Sequence, residues 1–469
     1  MRKGTHMIGV RPRRHYGRLA VWLMLAVILP AAGLAWGAGQ LEYDADPIRY
    51  TTTPANDPIA RLQQQMAQGR VKLKFDSQHG YLLSVLQQLK IPTSSQMLVF
   101  SKTSFQHDLI SPETPRALYF NAQTYIGWVQ GGSVLEVATV DPQLGAVFYV
   151  LPQVESGSPK FVRQTYECLQ CHDSGMAGNV PGLMMRSVYP DRTGRPLLTQ
   201  GTYVTTDQSP LRERWGGWYV TGKHGNQAHM GNMVARSETA PEETNWGSGG
   251  NVTDLKRLVD ASPYLMKTSD IVALMVSEHQ THTQDLITRA NYETRRAMKY
   301  QQDLNKELGR PADAEWESVR SRIQSVGEPL LQALLFSGEA PLTEPITGTS
   351  GYAEQFSVLG PHDRQGRTLY ALDLRHRLFR YPCSYLIYSE AFDGLPAPMK
   401  DYLYRRLLEV LNGKDRTPPF AHLTDPDRQA ILEILQQTKP DFAAWQAKQA
   451  PALLVLTGRG HLHPLCLPS

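Results

Sequence analysis

Cysteine is scarce here, four residues in 469, which excludes a disulfide-stapled scaffold. Long hydrophobic runs are also scarce. The longest, Leu19–Leu34, is broken by Pro30 and Gly33 and falls short of the ~20 residues that span a bilayer comfortably. No Gly-x-Ser-x-Gly elbow, His-Glu-x-x-His pair or phosphate-binding glycine loop occurs, so the commonest hydrolase, metalloprotease and nucleotide-binding signatures are missing. No internal repeat is visible. The excess of positive charge is confined to one end. Residues 1–37 carry Arg2, Lys3, Arg11, Arg13, Arg14 and Arg18 with no acidic residue, leaving 42 basic against 44 acidic beyond them. Nothing in that balance points to a nucleic-acid partner.

What is present begins with the leader. A basic stretch, a short apolar run and Ala35-Trp36-Gly37 read as a secretory signal, cleaved to a mature chain from about Ala38. An uncleaved membrane anchor is the alternative, and either one exports the protein. After residues 1–37, residues 38–95 read as an extended polar arm with a short helix around Gly80–Leu89. Residues 96–162 are β-rich. Met97–Phe100, Ala117–Phe120, Thr124–Trp128, Val134–Ala138 and Ala146–Val150 recur between turn residues, the pattern of an antiparallel sheet. Residues 163–310 hold an irregular Gly-, Pro- and aromatic-rich centre and then helices, and residues 311–469 are mostly helical. Helical periodicity covers Asp254–Val259, Ser269–Leu304, Ala314–Leu335, Met399–Leu411 and Asp425–Gln437, with a strand-like segment at Tyr381–Tyr388. The fold class expected is α+β, with an N-terminal antiparallel sheet, an irregular haem-binding centre and a mostly helical C-terminal half.

One segment carries chemistry. Cys168-Leu-Gln-Cys171-His172 is a Cys-x-x-Cys-His, expected by chance about once in a thousand chains of this composition. Two thiols at this spacing can add to both vinyl groups of one haem, and the adjacent imidazole then reaches the iron as proximal ligand. A structural zinc site would need a second ligand pair, yet Cys383 and Cys466 are isolated. A thioredoxin-like pair would be followed by a long helix, whereas Gly175, Gly178, Pro181 and Gly182 follow here. A local disulfide at this spacing is strained.

Cys168–His172 thus resembles the attachment site of c-type cytochromes. The resemblance implies one covalent haem c, thioethers at Cys168 and Cys171, iron ligation by His172, and single-electron exchange with redox-partner proteins in the periplasm. Gly178–Tyr189 and Arg214–Gly225 are also similar to segments of other exported proteins with one such motif. The chain departs from small class I cytochromes in its size and in lacking a single late methionine. For the distal face of the iron the first candidate is His229, in a glycine-rich loop with His224, Met230 and Met233. The second pair is His279 and His282, which share an apolar helical stripe with Met275 and Leu286. Each of these histidines has an ordinary alternative as a satisfied core or loop residue. The rival function is a haem enzyme with an open distal site acting on peroxide or a small nitrogen oxide. Cys383 and Cys466 are either paired with each other or separately buried.

Overall fold

Between Met97 and Pro152 short runs of strand-forming residues separated by turns build a sheet, with Thr124–Trp128 buried at every position. Along Val134–Asp141 the alternation of buried with half-buried residues is nearly complete. The computed structural model describes residues 42–237 and 243–457. Residues 1–37, expected to be a leader, and Cys466 lie outside the described residues. The strands are β1 (Met97–Val99), β2 (Arg116–Phe120), β3 (Thr124–Trp128), β4 (Val134–Asp141), β5 (Gly145–Pro152), β6 (Val162–Gln164), β7 (Arg186–Val188), β8 (Thr202–Val204) and β9 (Trp218–Tyr219). Seven of them form one antiparallel sheet in the order β6-β5-β4-β3-β2-β1-β9, and β7 pairs with β8. β5 and β9 therefore stand five strand spacings apart, about 24 Å along the sheet.

The helices are α1 (Pro58–Ala67), α2 (Leu82–Gln88), α3 (Leu169–His172), α4 (Ile271–Glu307), α5 (Glu317–Leu334), α6 (Tyr352–Ser357), α7 (Glu390–Asp393), α8 (Ala397–Leu411), α9 (Asp425–Thr438) and α10 (Pro440–Thr457). The α+β class is as the sequence indicates, with the sheet in the N-terminal half and the helices beyond it. α4 is the spine, 37 residues and about 55 Å long. Asp270 caps it, accepting from the Val272 and Ala273 N–H groups at 2.8 and 3.3 Å. From Ile271 to Thr281 every residue is buried. Tyr125 on β3 donates to Gln284 Oε1 at 2.9 Å, and Tyr292 donates to the Leu144 carbonyl at 2.9 Å. These bonds pin α4 to the sheet, while α5 and α8 pack on the helix side.

Two expectations are corrected. The polar arm contains α1, started by Asp57, which accepts from the Ile59 and Ala60 N–H groups, with Pro58 in the first turn. Proline at a helix start loses no hydrogen bond, so Pro58 begins an element. Tyr381–Tyr388 is not a strand. Its last four residues form a 3-10 turn capped by Ser384, because Pro382 cannot donate to a ladder.

Candidate haem-attachment site

The Cys168–His172 segment closes a single helical turn. The Cys168 carbonyl accepts from the His172 N–H at 3.0 Å and the Cys171 N–H at 3.3 Å. The turn puts both thiols and the imidazole within one span of backbone. Neither thiol is in a disulfide; Cys171 is exposed and Cys168 half-buried. Burial, then the carboxylates of Glu136 and Glu167, push the Cys168 thiol up to about 11.

His172 is held from two sides. Its Nδ1 lies 2.8 Å from the Gly182 carbonyl, and its own carbonyl accepts from the Gly182 N–H at 2.9 Å. A carbonyl can only accept, so the proton sits on Nδ1 and Nε2 carries the lone pair. This is the arrangement that prepares an imidazole to ligate a metal. The ring leans on Phe148 of β5 at 4.7 Å. Burial holds its pKa below the ordinary imidazole value, against the Gly182 hydrogen bond. Gly182 is in turn clamped by α4. The Leu183 N–H donates to Asp285 Oδ1 at 2.8 Å, and a Cβ at position 182 would lie 2.6 Å from that same oxygen. Only glycine permits this approach. Burial raises the Asp285 carboxyl well above its ordinary value. Sequence reading missed Phe148 and Asp285, since nothing local in the chain links residues 148, 182 and 285.

The loop candidates sit elsewhere, whereas His282 precedes Asp285 by about one turn on α4. The His224–Met233 loop is tied to the β9 edge, the far side of the sheet from β5. The Asn232 N–H donates to the Trp218 carbonyl at 2.8 Å, and the Val220 N–H to Asn232 Oδ1 at 2.7 Å. His229 is buried between Trp215 and His224. Its Nδ1 accepts from the Gly231 N–H at 3.0 Å, which leaves the proton on Nε2, a nitrogen without a partner among the described residues. Burial, then the neighbouring His224, lower its pKa to about 3. His224 Nε2 likewise accepts from the Asn251 N–H at 2.8 Å. Met230 takes a contact from the Ser187 hydroxyl at 3.7 Å and Met233 one from Ser248 at 3.4 Å.

His279, buried, and His282, half-buried, belong to a polar cluster on α4. Both Nδ1 atoms face Asp207 Oδ1, at 3.4 and 3.7 Å. His279 Nε2 lies 2.7 Å from the Ser384 hydroxyl, and its ring stacks on Phe336 at 4.1 Å. Burial alone would raise the Asp207 carboxyl, but the two imidazoles bring it well below the usual range. Arg214 spans the cluster, donating to Glu278 Oε2 and to the Asp207 carbonyl, each at 2.9 Å. Burial still pushes Glu278 up to about 7, against that guanidinium. The structure thus brings Cys168, Cys171 and His172 together. None of the six distal candidates touches His172 through a hydrogen bond or ring contact.

Among the described residues, no cluster of three His, Cys, Asp or Glu side chains is placed to hold a bare metal ion, and no helix is long and apolar enough to cross a membrane. No protein-family model, curated protein or solved structure matches this chain.

Proposed function

We propose that the protein is an exported monohaem c-type cytochrome that carries single electrons between redox-partner proteins. The observation that carries this reading is the tautomer of His172. Its Nδ1 proton is committed to Gly182 and its Nε2 lone pair is free, in the same turn as two free thiols. The donor set therefore fits a haem held by Cys168 and Cys171 with His172 as proximal ligand. Such a group, when bound, supplies an iron centre that gains and loses one electron. The chain's own residues do the rest. Gly182 fixes the imidazole plane, Asp285 holds the next residue, Leu183, by its N–H, and Phe148 keeps water from one side of the ring. Exposed Tyr166 and Met176 flank the turn and offer apolar surface to a macrocycle. The basic, apolar and small-residue leader supports export to the periplasm, where haem is attached.

The test is chemical. Protein produced with haem-ligation machinery is expected to keep its haem through acid-acetone extraction. Cys168→Ala or Cys171→Ala should weaken retention and His172→Ala should abolish the native spectrum. Complete loss of haem from the wild-type chain overturns the reading.

One observation favours the second reading, a haem enzyme acting on peroxide or a small nitrogen oxide. His229 shows an N–H, not a lone pair, at Nε2, and its loop is anchored at the β9 edge. To stand opposite His172, it must give up the Gly231 bond and the loop must move. Ferric spectra of His229→Ala, Met233→Ala and His279→Ala separate the candidates, since the variant that turns high-spin has lost the ligand. A wild-type protein already high-spin, and quick to bind cyanide or carbon monoxide, supports the enzyme reading over electron transfer.

A further inference from the structure

Away from the Cys168–His172 turn, a cavity of about 510 Å³ opens between the β2–β3 turn, α4, α6 and the Tyr385–Tyr388 turn. That is the size of a small-molecule site. Its walls are a run of aromatic rings, Phe120, Tyr352, Phe356, Tyr370 and Tyr385. Successive centroids along that run are 5.6, 5.5, 5.1 and 4.7 Å apart. The floor is Gln280, whose amide is fully engaged. Its Nε2 donates to the Asn121 carbonyl at 2.8 Å and to the Tyr125 hydroxyl at 2.6 Å, and its Oε1 accepts from Tyr385. The floor is therefore fixed and neutral. The hydroxyls of Tyr352 and Tyr370, by contrast, carry no hydrogen bond among the described residues.

The mouth is also shaped. Gly360 has φ +76°, and a Cβ there would lie 2.3 Å from the Tyr370 ring, so bare backbone lets that ring lie along the lip. Beside it Val358 and Leu359 are 69% and 50% exposed, an apolar approach with no covering residue among those described. Among the described residues the only charged lining groups, Lys90 and Glu390, are exposed and opposite in sign. An ionised ligand would lose its hydration inside with no counter-charge to replace it. Flat apolar walls favour a planar ring through stacking and edge contacts. Two unpaired phenol hydroxyls add donors and acceptors for oxygen atoms on such a ring.

We propose that this cavity binds a flat, uncharged ring bearing oxygen substituents, of the phenol or quinone class. The proposal is independent of the haem reading and stands or falls separately. The probe is 2-naphthol, titrated calorimetrically into the purified full-length protein, with decahydro-2-naphthol as its saturated, non-planar counterpart. The expected result is saturable one-to-one binding of 2-naphthol and binding of the saturated analogue weaker by about tenfold or more. Tyr352→Phe and Tyr370→Phe keep the walls and remove one hydroxyl each, and each should weaken binding about fivefold. Ala122→Trp, which adds an indole at a lining position, should abolish binding while the thermal melt stays cooperative. The proposal is overturned if 2-naphthol shows no saturable binding, if the saturated analogue binds equally well, or if both tyrosine variants bind like the wild type.

Discussion

His172 gives its Nδ1 proton to Gly182, whereas His229 receives the Gly231 proton on Nδ1, and that one difference decides what each ring can offer. The first presents a lone pair and the second an N–H. His229 also makes the fold sensitive to acid. Burial depresses its pKa from 6.5 to about 3, so the native protein holds it neutral while the unfolded chain protonates it. The stability this contributes is present above pH 6.5 and is lost as pH falls toward 3, with a slope of about 1.4 kcal/mol per pH unit. Glu278 acts with the opposite sign, since its pKa rises from 4.5 to about 7. Its contribution is full below pH 4.5 and is lost as pH climbs through 7. We expect His229→Asn, which cannot titrate but carries an acceptor at the position of Nδ1 for the Gly231 N–H, to flatten the acid limb of the melting temperature against pH. A variant whose acid limb keeps the wild-type slope would show that other groups carry the acid sensitivity.

At the scale of elements, Asp270 is a cap with a second duty. Besides Val272 and Ala273, it accepts at Oδ2 from the Thr349 and Ser350 N–H groups at 2.6 and 2.8 Å. An ordinary cap contributes about 1 kcal/mol. Asp270→Ala would also leave two loop N–H groups bare, so we expect a loss of about 3 kcal/mol in urea unfolding. A loss near 1 kcal/mol would mean that the 349–350 loop finds other acceptors. Elements were legible where local pattern sets them. β2 to β5 and α4, α5, α8 and α9 fall within a few residues of their expected spans, because period two and period 3.6 are written into the side-chain order. α1 was not read, since its polar composition hid the Asp57–Pro58 start. Of the candidate site, Cys168, Cys171 and His172 were legible because their spacing is itself the signal. Phe148, Gly182 and Asp285 were not, nor was Asp207 between His279 and His282. Their meeting depends on how α4 lies across the sheet, and no short segment records that.

For the whole molecule, the consequence is that sheet and helices share one core and are not separable domains. A single buried cluster runs from Tyr43 to Phe442. The first three turns of α4 are buried on all sides, which an isolated helical half could not satisfy. Polar bonds also cross the divide. Gln96 Nε2 donates to the Met266 and Thr268 carbonyls, each at 2.7 Å, and the Leu98 N–H donates to Ser269 Oγ at 2.9 Å. Cutting the chain between residues 250 and 251 would expose the α4-facing side of β3, including Tyr125, together with the apolar start of α4. We therefore expect residues 41–250 and 251–457, produced separately, to be insoluble or to melt without a cooperative transition. Produced together, they should associate and recover one. A cooperative melt from either fragment alone would show that the shared core is an interface between two self-sufficient domains. In that case the Asp285 clamp on Gly182 would reach His172 across a domain boundary, not within one packed body.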